Sequence, residues 1–366
     1  MAGRARSVGD GLVVDVEPPW PYRLARRSGP DNVSRVRDGI YERFFHVEGR
    51  PILVRAWERP AKGVVRIAAM PAEQSWLEAG RKAVEDAAFA RRPRKRPPPA
   101  REGARWRRRE GAAGEREPLR AQSAHLHKAI ERTRHAIGLD DDYTAFYEMF
   151  GGDILLGPAI RQIPWLRARR TTWPWEALMW AITEQLIEAE RAFVIQRRIV
   201  ARWGGACLPP DRQRPLRDVP GPEVIAARSP AELAALDLAP KRAVAMIKVA
   251  REVAAGRIDP GDSRDDKRLL KISGIGPWTV QVLGQKGRGD PDSLPAGDLA
   301  YVKLVPRLAG MDRRATVAEV EQFYARFRPY RGWAGLFTLV AGRHAEGSVN
   351  KPLKYHPANP ELEDVA

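Results

Sequence analysis

The sequence predicts an α+β chain, a small β-rich N-terminal domain followed by an all-α one, and three observations predict it. Strand-like apolar stretches lie within about the first 90 residues. Beyond about residue 121, apolar residues recur at helical spacing almost to residue 345. Between the two lies an Arg- and Pro-rich run without apolar periodicity. With 366 residues the chain is long enough for two or three cores. The predicted division is a β-rich domain over 11–90, a basic flexible linker over 91–121, a helical domain over 122–346 and a tail over 347–366.

The β-rich part is read from four stretches. Leu12-Val13-Val14-Asp15-Val16 is an apolar strand that Pro18-Pro19-Trp20-Pro21 stops. Tyr41–Val47, Ile52–Trp57 and Val64–Ile67 are strand-like as well, and Glu48-Gly49-Arg50-Pro51 makes a turn between two of them. His46 alternates with Phe45 and Val47, so it is expected as a strand residue and not as a ligand or base.

The linker begins at Arg91-Arg92-Pro93-Arg94-Lys95-Arg96, and Arg105-Trp106-Arg107-Arg108-Arg109 repeats the charge. Such a segment buries too little apolar surface to offset its ordering entropy. It reads either as a solvated spacer or as an arm that gathers along phosphates, with Trp106 available for stacking.

Helical readings follow. Asp140-Asp141-Asp142 is expected to cap a helix opening near Tyr143. Trp175 through Gly204 is read as one long amphipathic stretch carrying Leu178, Ile182, Gln185, Leu186, Ala189, Phe193 and Ile195. Ser229-Pro230-Ala231-Glu232 has the pattern of a capping box with proline at the first helical position. A further helix starts near Pro240, and Asp259-Pro260-Gly261-Asp262 ends it.

Composition narrows the function. Lys and Arg number 63 against 46 Asp and Glu, a net charge of +17, which favours a polyanionic partner. The single cysteine, Cys207, excludes an internal disulfide framework, a cysteine-ligated iron–sulfur cluster and a Cys-rich zinc site. Met1–Asp10 has no apolar core of a signal peptide, and no apolar run approaches the roughly 20 residues that span a bilayer. A cytoplasmic, nucleoid-associated protein is therefore expected.

The most informative stretch is Leu269-Leu270-Lys271-Ile272-Ser273-Gly274-Ile275-Gly276-Pro277-Trp278-Thr279. It reads as a helix end, a tight glycine hairpin and a new helix opening at Pro277. The N–H groups of such a helix start can hold a phosphate without reading a base. Downstream, Leu294-Pro295-Ala296-Gly297-Asp298-Leu299 places one acid twenty residues beyond Trp278 (278 to 298). Taken alone, Asp298 before a helix reads as an N-cap, a role compatible with chemistry because a capping carboxylate is held rigidly.

Together these residues resemble the helix-hairpin-helix DNA glycosylase superfamily, and within it the bacterial 3-methyladenine DNA glycosylase II, alkylated-base branch. The resemblance extends to Trp175–Ile182 with Gln185-Leu186, to Pro222–Ala226, to Ser229–Leu238 and to Phe327-Arg328-Pro329-Tyr330-Arg331-Gly332-Trp333, and so covers roughly residues 140–345. The N-terminal strands resemble the branch's β-rich leading domain. By this resemblance the second part is a helix-hairpin-helix glycosylase domain. Asp298 is its catalytic aspartate, Trp278 and Tyr330 line the base pocket, and Gln185-Leu186 enters the gap left by a flipped base with Leu186 as wedge. Ile272, Ser273, Gly274, Ile275, Gly276, Pro277 and Thr279 form the DNA-binding hairpin. The family often holds a monovalent cation there, here through the carbonyls of Leu270, Ile272 and Ile275. No cofactor is required.

Trp278 stands where the superfamily's bifunctional members carry a Schiff-base lysine, which implies hydrolysis without lyase action. The expected partner is duplex DNA containing damaged bases, bound by a monomer, and the expected reaction is hydrolytic release of alkylated purines in base excision repair. Two alternatives remain open at this point: a same-fold glycosylase for oxidised or deaminated bases, and a non-catalytic DNA-binding protein that kept the hairpin. Departures from the branch motivate them. Thr183-Glu184 precedes Gln185 where a small residue is usual, Glu188 stands in place of a common Ser, Val282 replaces an aromatic of some relatives, and Ala300-Tyr301 follows Asp298-Leu299.

Overall fold

The computed structural model describes residues 4–89 and 119–347. Most of the 91–121 segment, Trp106 included, and the tail from residue 348 lie outside these residues. Contacts divide the chain into two compact units that do not follow the linear order. One unit takes the residues up to Glu17, Leu24–Thr133 and Ala189–Val224; the other takes Pro18–Arg23, Arg134–Glu188 and Ile225 onward.

The first unit is built on a six-stranded antiparallel sheet in the order β1-β2-β6-β5-β4-β3. Its strands are β1 (Arg4–Val8), β2 (Gly11–Val16), β3 (Arg35–Arg37), β4 (Ile40–Val47), β5 (Arg50–Arg59) and β6 (Val64–Pro71). In β2 every second residue is buried, which places Leu12, Val14 and Val16 on the core face. Glu48 and Gly49 both have positive φ, the two-residue turn whose twist suits a hairpin, so β4 pairs with β5 along its full length. The helix α1 (Gln74–Phe89) follows β6. A two-stranded pair, β7 (Ala206–Cys207) with β8 (Leu216–Arg217), belongs to this unit, so the sequence beyond residue 122 is not all-α as expected. Cys207 and Leu216 pack with Phe44, Leu53 and Ala72, and Trp76 and Leu77 of α1 lie against them. Each strand is two residues long, too short to leave a periodic signal. His46 is a strand residue, as expected, and its Nδ1 lies 2.8 Å from Asp218 Oδ2.

Helix α2 (Leu119–Ala136) starts inside the stretch assigned to the linker. The second unit then carries α3 (Thr144–Phe150), α4 (Leu156–Gln162) and α5 (Pro174–Glu184). The single helix expected over Trp175–Gly204 is two, because α5 ends at Glu184 and α6 opens at Ala189 (Ala189–Trp203). No glycine or proline announces this break. The short helices α7 (Pro222–Ala226) and α8 (Pro230–Ala234) follow, and Ser229 and Glu232 form the expected capping box. Tyr143, not an aspartate, stands at the N-cap of α3; Asp142 Oδ1 accepts the N–H of its first residue, Thr144, at 2.8 Å, whereas Asp140 and Asp141 pair with Arg134 and Arg170.

Beyond them lie α9 (Pro240–Ala254), α10 (Asp266–Leu269), α11 (Pro277–Val282), a π-helical turn over Leu283–Arg288, α12 (Leu299–Ala309), α13 (Val317–Tyr324) and α14 (Arg331–Gly347). The core of this unit is aromatic: Tyr143, Phe146 and Phe150 of the α3 region meet Tyr301, Tyr324, Phe327, Trp333 and Phe337. It lies directly beneath the start of α12, the helix that Asp298 caps.

Candidate active site

The hairpin forms where the sequence places it. Helix α10 ends at Leu269, the Ile275 N–H donates to the Ile272 carbonyl at 2.9 Å, and Gly274 lies in the left-handed region at φ +93°. A side chain at Gly274 would also press on the Ala245 Cβ, only 2.9 Å from the position of a Cβ. Ile275 points inward and is buried, whereas Ser273, Gly274 and Pro277 are exposed. Gly276 is the N-cap of α11 and supplies no side-chain cap, and Pro277 follows as the first helical residue. The backbone at this helix start is thus presented outward while Ile275 and the buried Thr279 anchor the turn from below.

The segment after α5 is fastened to this hairpin. The Gln185 amide nitrogen donates to the Gly274 carbonyl at 2.8 Å and to the Thr279 hydroxyl at 2.9 Å. Gln185, expected to enter the DNA gap beside Leu186, has its amide engaged by the hairpin in this structure. Leu186 is fully exposed, at φ +54°, outside any helix. On the single amphipathic helix expected over Trp175–Gly204, Leu186 is as readily a core position as a wedge. The structure removes the core alternative. An exposed leucine in a backbone region that costs a non-glycine residue about 1–3 kcal/mol is held there by its surroundings. Glu184, which precedes Gln185 where a small residue is usual in the branch, forms an ion pair with Lys286 of the π turn at 3.0 Å. Glu188 is exposed.

Asp298 sits at the N-cap of α12, where its Oδ1 accepts the Ala300 N–H at 2.9 Å. Its own N–H donates to the Pro295 carbonyl at 2.8 Å, and its carbonyl accepts from Tyr301 and Val302. The Asp298 backbone is therefore held on both sides, and the half-buried residue's carboxylate is engaged by the cap through one oxygen. A Cβ at the preceding Gly297 would lie 3.8 Å from Trp278 Cδ1 and 3.7 Å from Val317 Cγ2, so the indole of α11 approaches the turn that carries the acid. Trp278 is half-buried and has no ring partner among the described residues. The sequence separation of twenty residues becomes spatial proximity because the π turn and the 289–297 loop fold the chain back.

Tyr330 packs against the aromatic core. Its ring stacks on Trp333 (5.2 Å, 18°), which stacks in turn on Tyr143 (3.8 Å, 11°), and its edge meets Phe146. No ring contact joins it to Trp278 among the described residues, so packing accounts for the described surroundings of Tyr330. The adjacent Arg331 ties this helix start to the loop leading to Asp298, through Nε to Asp292 Oδ1 at 2.9 Å and Nη2 to Oδ2 at 2.6 Å. The Trp333 N–H adds a bond to the Pro291 carbonyl. Burial works to raise the Asp292 carboxyl, but the Arg331 hydrogen bonds and charge outweigh it and hold the pKa below the usual value.

Sequence reasoning missed Arg242. Its Nη1 on α9 donates to the carbonyls of Thr183 (2.8 Å) and Gln185 (3.1 Å), at the end of α5. An arginine in a helical run carries no local sign of a partner some 60 residues away.

No protein-family model matches the chain. Among curated relatives, a DNA-3-methyladenine glycosylase of Bacillus subtilis is 27% identical over 205 residues, 54% of this chain and 67% of that protein. A probable bifunctional transcriptional activator/DNA repair enzyme AlkA of Mycobacterium tuberculosis is 30% identical over 212 residues, 57% of this chain but 42% of that protein. The chain thus spans less than half the length of the second. Among solved structures, a 3-methyladenine DNA glycosylase from Archaeoglobus fulgidus aligns over 92% of this chain and 99% of its own, with a TM-score of 0.64 at 17% identity. MBOgg1 in complex with a low-affinity DNA ligand aligns over 94% and 100%, with a TM-score of 0.62 at 16% identity. At these identities the likeness is one of fold.

Proposed function

We propose that the chain is a glycosylase of the helix-hairpin-helix DNA glycosylase superfamily that hydrolyses the N-glycosidic bond of alkylated purines in duplex DNA, as a monomer and without lyase action. The observation that carries this reading is Asp298, a carboxylate fixed by the cap through one oxygen, in a turn that Trp278 approaches.

The sugar carbon of a stacked nucleotide is inaccessible, so the damaged nucleotide must leave the duplex. Leu186 then enters the gap and restores the stacking that the departing base gave up. The hairpin backbone holds a phosphate of the distorted strand. Trp278 offers the flipped base an aromatic face, and a cationic alkylated purine gains cation–π attraction from it. As the glycosidic bond lengthens, positive charge grows on the sugar, and the Asp298 carboxylate stabilises it and orients the attacking water. The π-turn lysine, Lys286, is paired with Glu184, and an indole occupies the Schiff-base position, which supports water as the nucleophile. At the hairpin, the carbonyls of Leu270, Ile272 and Ile275 would hold a monovalent cation. The Ile272 oxygen accepts the Ile275 N–H and, as a carbonyl, keeps a second lone pair for such an ion. The cation would neutralise one phosphate and take no part in the chemistry.

Asp298→Asn tests the assignment. The variant is expected to retain affinity for damaged duplex and to lose about 10²–10⁴ in the rate of base release. Mass spectrometry of bases freed from methylated, oxidised and deaminated DNA reads the substrate class in the same experiment. Release confined to oxidised or deaminated bases would replace alkylated purines as the substrate, and undiminished release by the variant would remove Asp298 from the mechanism.

A further inference from the structure

Helix α5 ends at Glu184 without a closing glycine. A helix C-terminus leaves its last carbonyls without intrahelical donors, and a glycine in the left-handed conformation commonly closes it. Here the left-handed residue is Leu186, at φ +54°, preceded by Gln185 at φ −55°, ψ 125°. The donor comes from another helix. Arg242 Nη1 reaches the carbonyls of Thr183 and Gln185, one on each side of the helix end, at 2.8 and 3.1 Å. A cation at the carbonyl end of a helix is also favoured by the helix dipole. The charged neighbours of this turn have their own places: the Glu184 carboxylate is turned to Lys286, and Lys241 and Glu188 are exposed. The Gln185 side chain is held by the hairpin, so the last residue before Leu186 is pinned through both its backbone and its amide.

We propose that Arg242 is a positioning residue for the wedge: by holding the Thr183 and Gln185 carbonyls it keeps Leu186 in its strained, outward conformation before DNA arrives. The inference rests on reading Leu186 as the residue that fills the gap left by a flipped base. Pre-organisation matters there because a turn free to relax would order itself at the expense of the energy available for opening the stack.

The test uses the full chain and an oligonucleotide carrying 7-methylguanine, single-stranded and in duplex. In a single strand there is no gap in a paired stack to fill, so a wedge-positioning residue matters only in duplex. Arg242→Met keeps the aliphatic stem and removes the donors. It is expected to slow single-turnover base release from duplex by about tenfold or more, the worth of charge-assisted bonds to two carbonyls, and to leave release from the single strand unchanged. Leu186→Ala should show the same selectivity, and the double variant should be no slower than Leu186→Ala alone, because both changes act through one contact. Arg242→Lys, which retains donors, should recover most of the rate and keeps the test valid if Arg242→Met folds poorly. Equal slowing on both substrates, or losses that multiply in the double variant, would overturn the role of Arg242 and leave the wedge in place. Unimpaired duplex activity of Leu186→Ala would overturn the wedge and the inference with it. Fluorescence of 2-aminopurine beside an abasic-site analogue reads insertion of Leu186 without any base release. Failure of the glycosylase reading therefore stays distinguishable, and an unchanged signal in Arg242→Met would count against the proposal even then.

Discussion

At Asp292 two opposing effects meet in one carboxylate. Burial favours its neutral form, and the Arg331 guanidinium, bound to both oxygens, favours the charged one and prevails. The folded pKa is therefore below the reference value of 3.8. For a depressed carboxyl the contribution to stability is complete above the unfolded-state value and is lost as pH falls through the folded value. Asp292→Asn is accordingly expected to lower stability at pH 7 by about 1.5–3 kcal/mol, the range for hydrogen bonds to charged groups, with the difference from the unaltered chain shrinking below about pH 4. Thermal unfolding across that pH range checks it; a pH-independent difference would assign the loss to packing. Other residues show which roles a sequence carries. Asp298 was legible because cap and catalytic candidate coincide at one position with fixed spacing from the hairpin. Gln185 was legible as a position and not as a contact, since its acceptors lie 89 and 94 residues away in sequence.

Among the elements, the hairpin depends most on one residue. Gly274 combines φ +93° with a neighbour, Ala245 Cβ, only 2.9 Å from where its own Cβ would stand. Gly274→Ala is expected to cost about 1–3 kcal/mol through the strained backbone alone, and to weaken DNA affinity because the Gly274 carbonyl that receives Gln185 would shift. Unfolding together with binding to undamaged duplex tests this, and unchanged affinity with lowered stability would separate the hairpin from DNA contact. The two glycines and Pro277 made this element readable, because backbone constraints are local. The break between α5 and α6 was not readable for the complementary reason: Gln185-Leu186-Ile187-Glu188 contains no residue that disfavours a helix strongly, and the interruption is enforced by donors on α9 and acceptors in the hairpin.

For the molecule as a whole the governing quantity is charge. A chain of net charge +17 that neutralises several phosphates must release their counterions, so its affinity for undamaged duplex is expected to fall linearly in log–log form with salt, about 40-fold to 2,000-fold between 50 and 200 mM for some three to six phosphates. A flat salt response would separate the charge from DNA binding. Removing residues 91–117 should reduce the slope if the basic segment gathers along phosphates and leave it unchanged if the segment is a spacer. Among the described residues no helix is long and apolar enough to cross a membrane.

The sequence by itself determined the α+β class, the hairpin and the place of Asp298 at a helix start, and its reading as the acid came from the resemblance to the glycosylase superfamily. The first three follow from short-range rules: alternation and helical periodicity, the φ demanded of a glycine, the caps available to a helix start. Tertiary structure decided that the chain beyond residue 122 gives β7 and β8 to the sheet-bearing unit, that Leu186 stands outward, that Glu184 is neutralised by Lys286 and that Arg242 closes α5. The partners in the last two cases are separated by 102 and 59 residues. A side chain's local pattern records that it can donate or accept, and only the folded chain supplies what it meets.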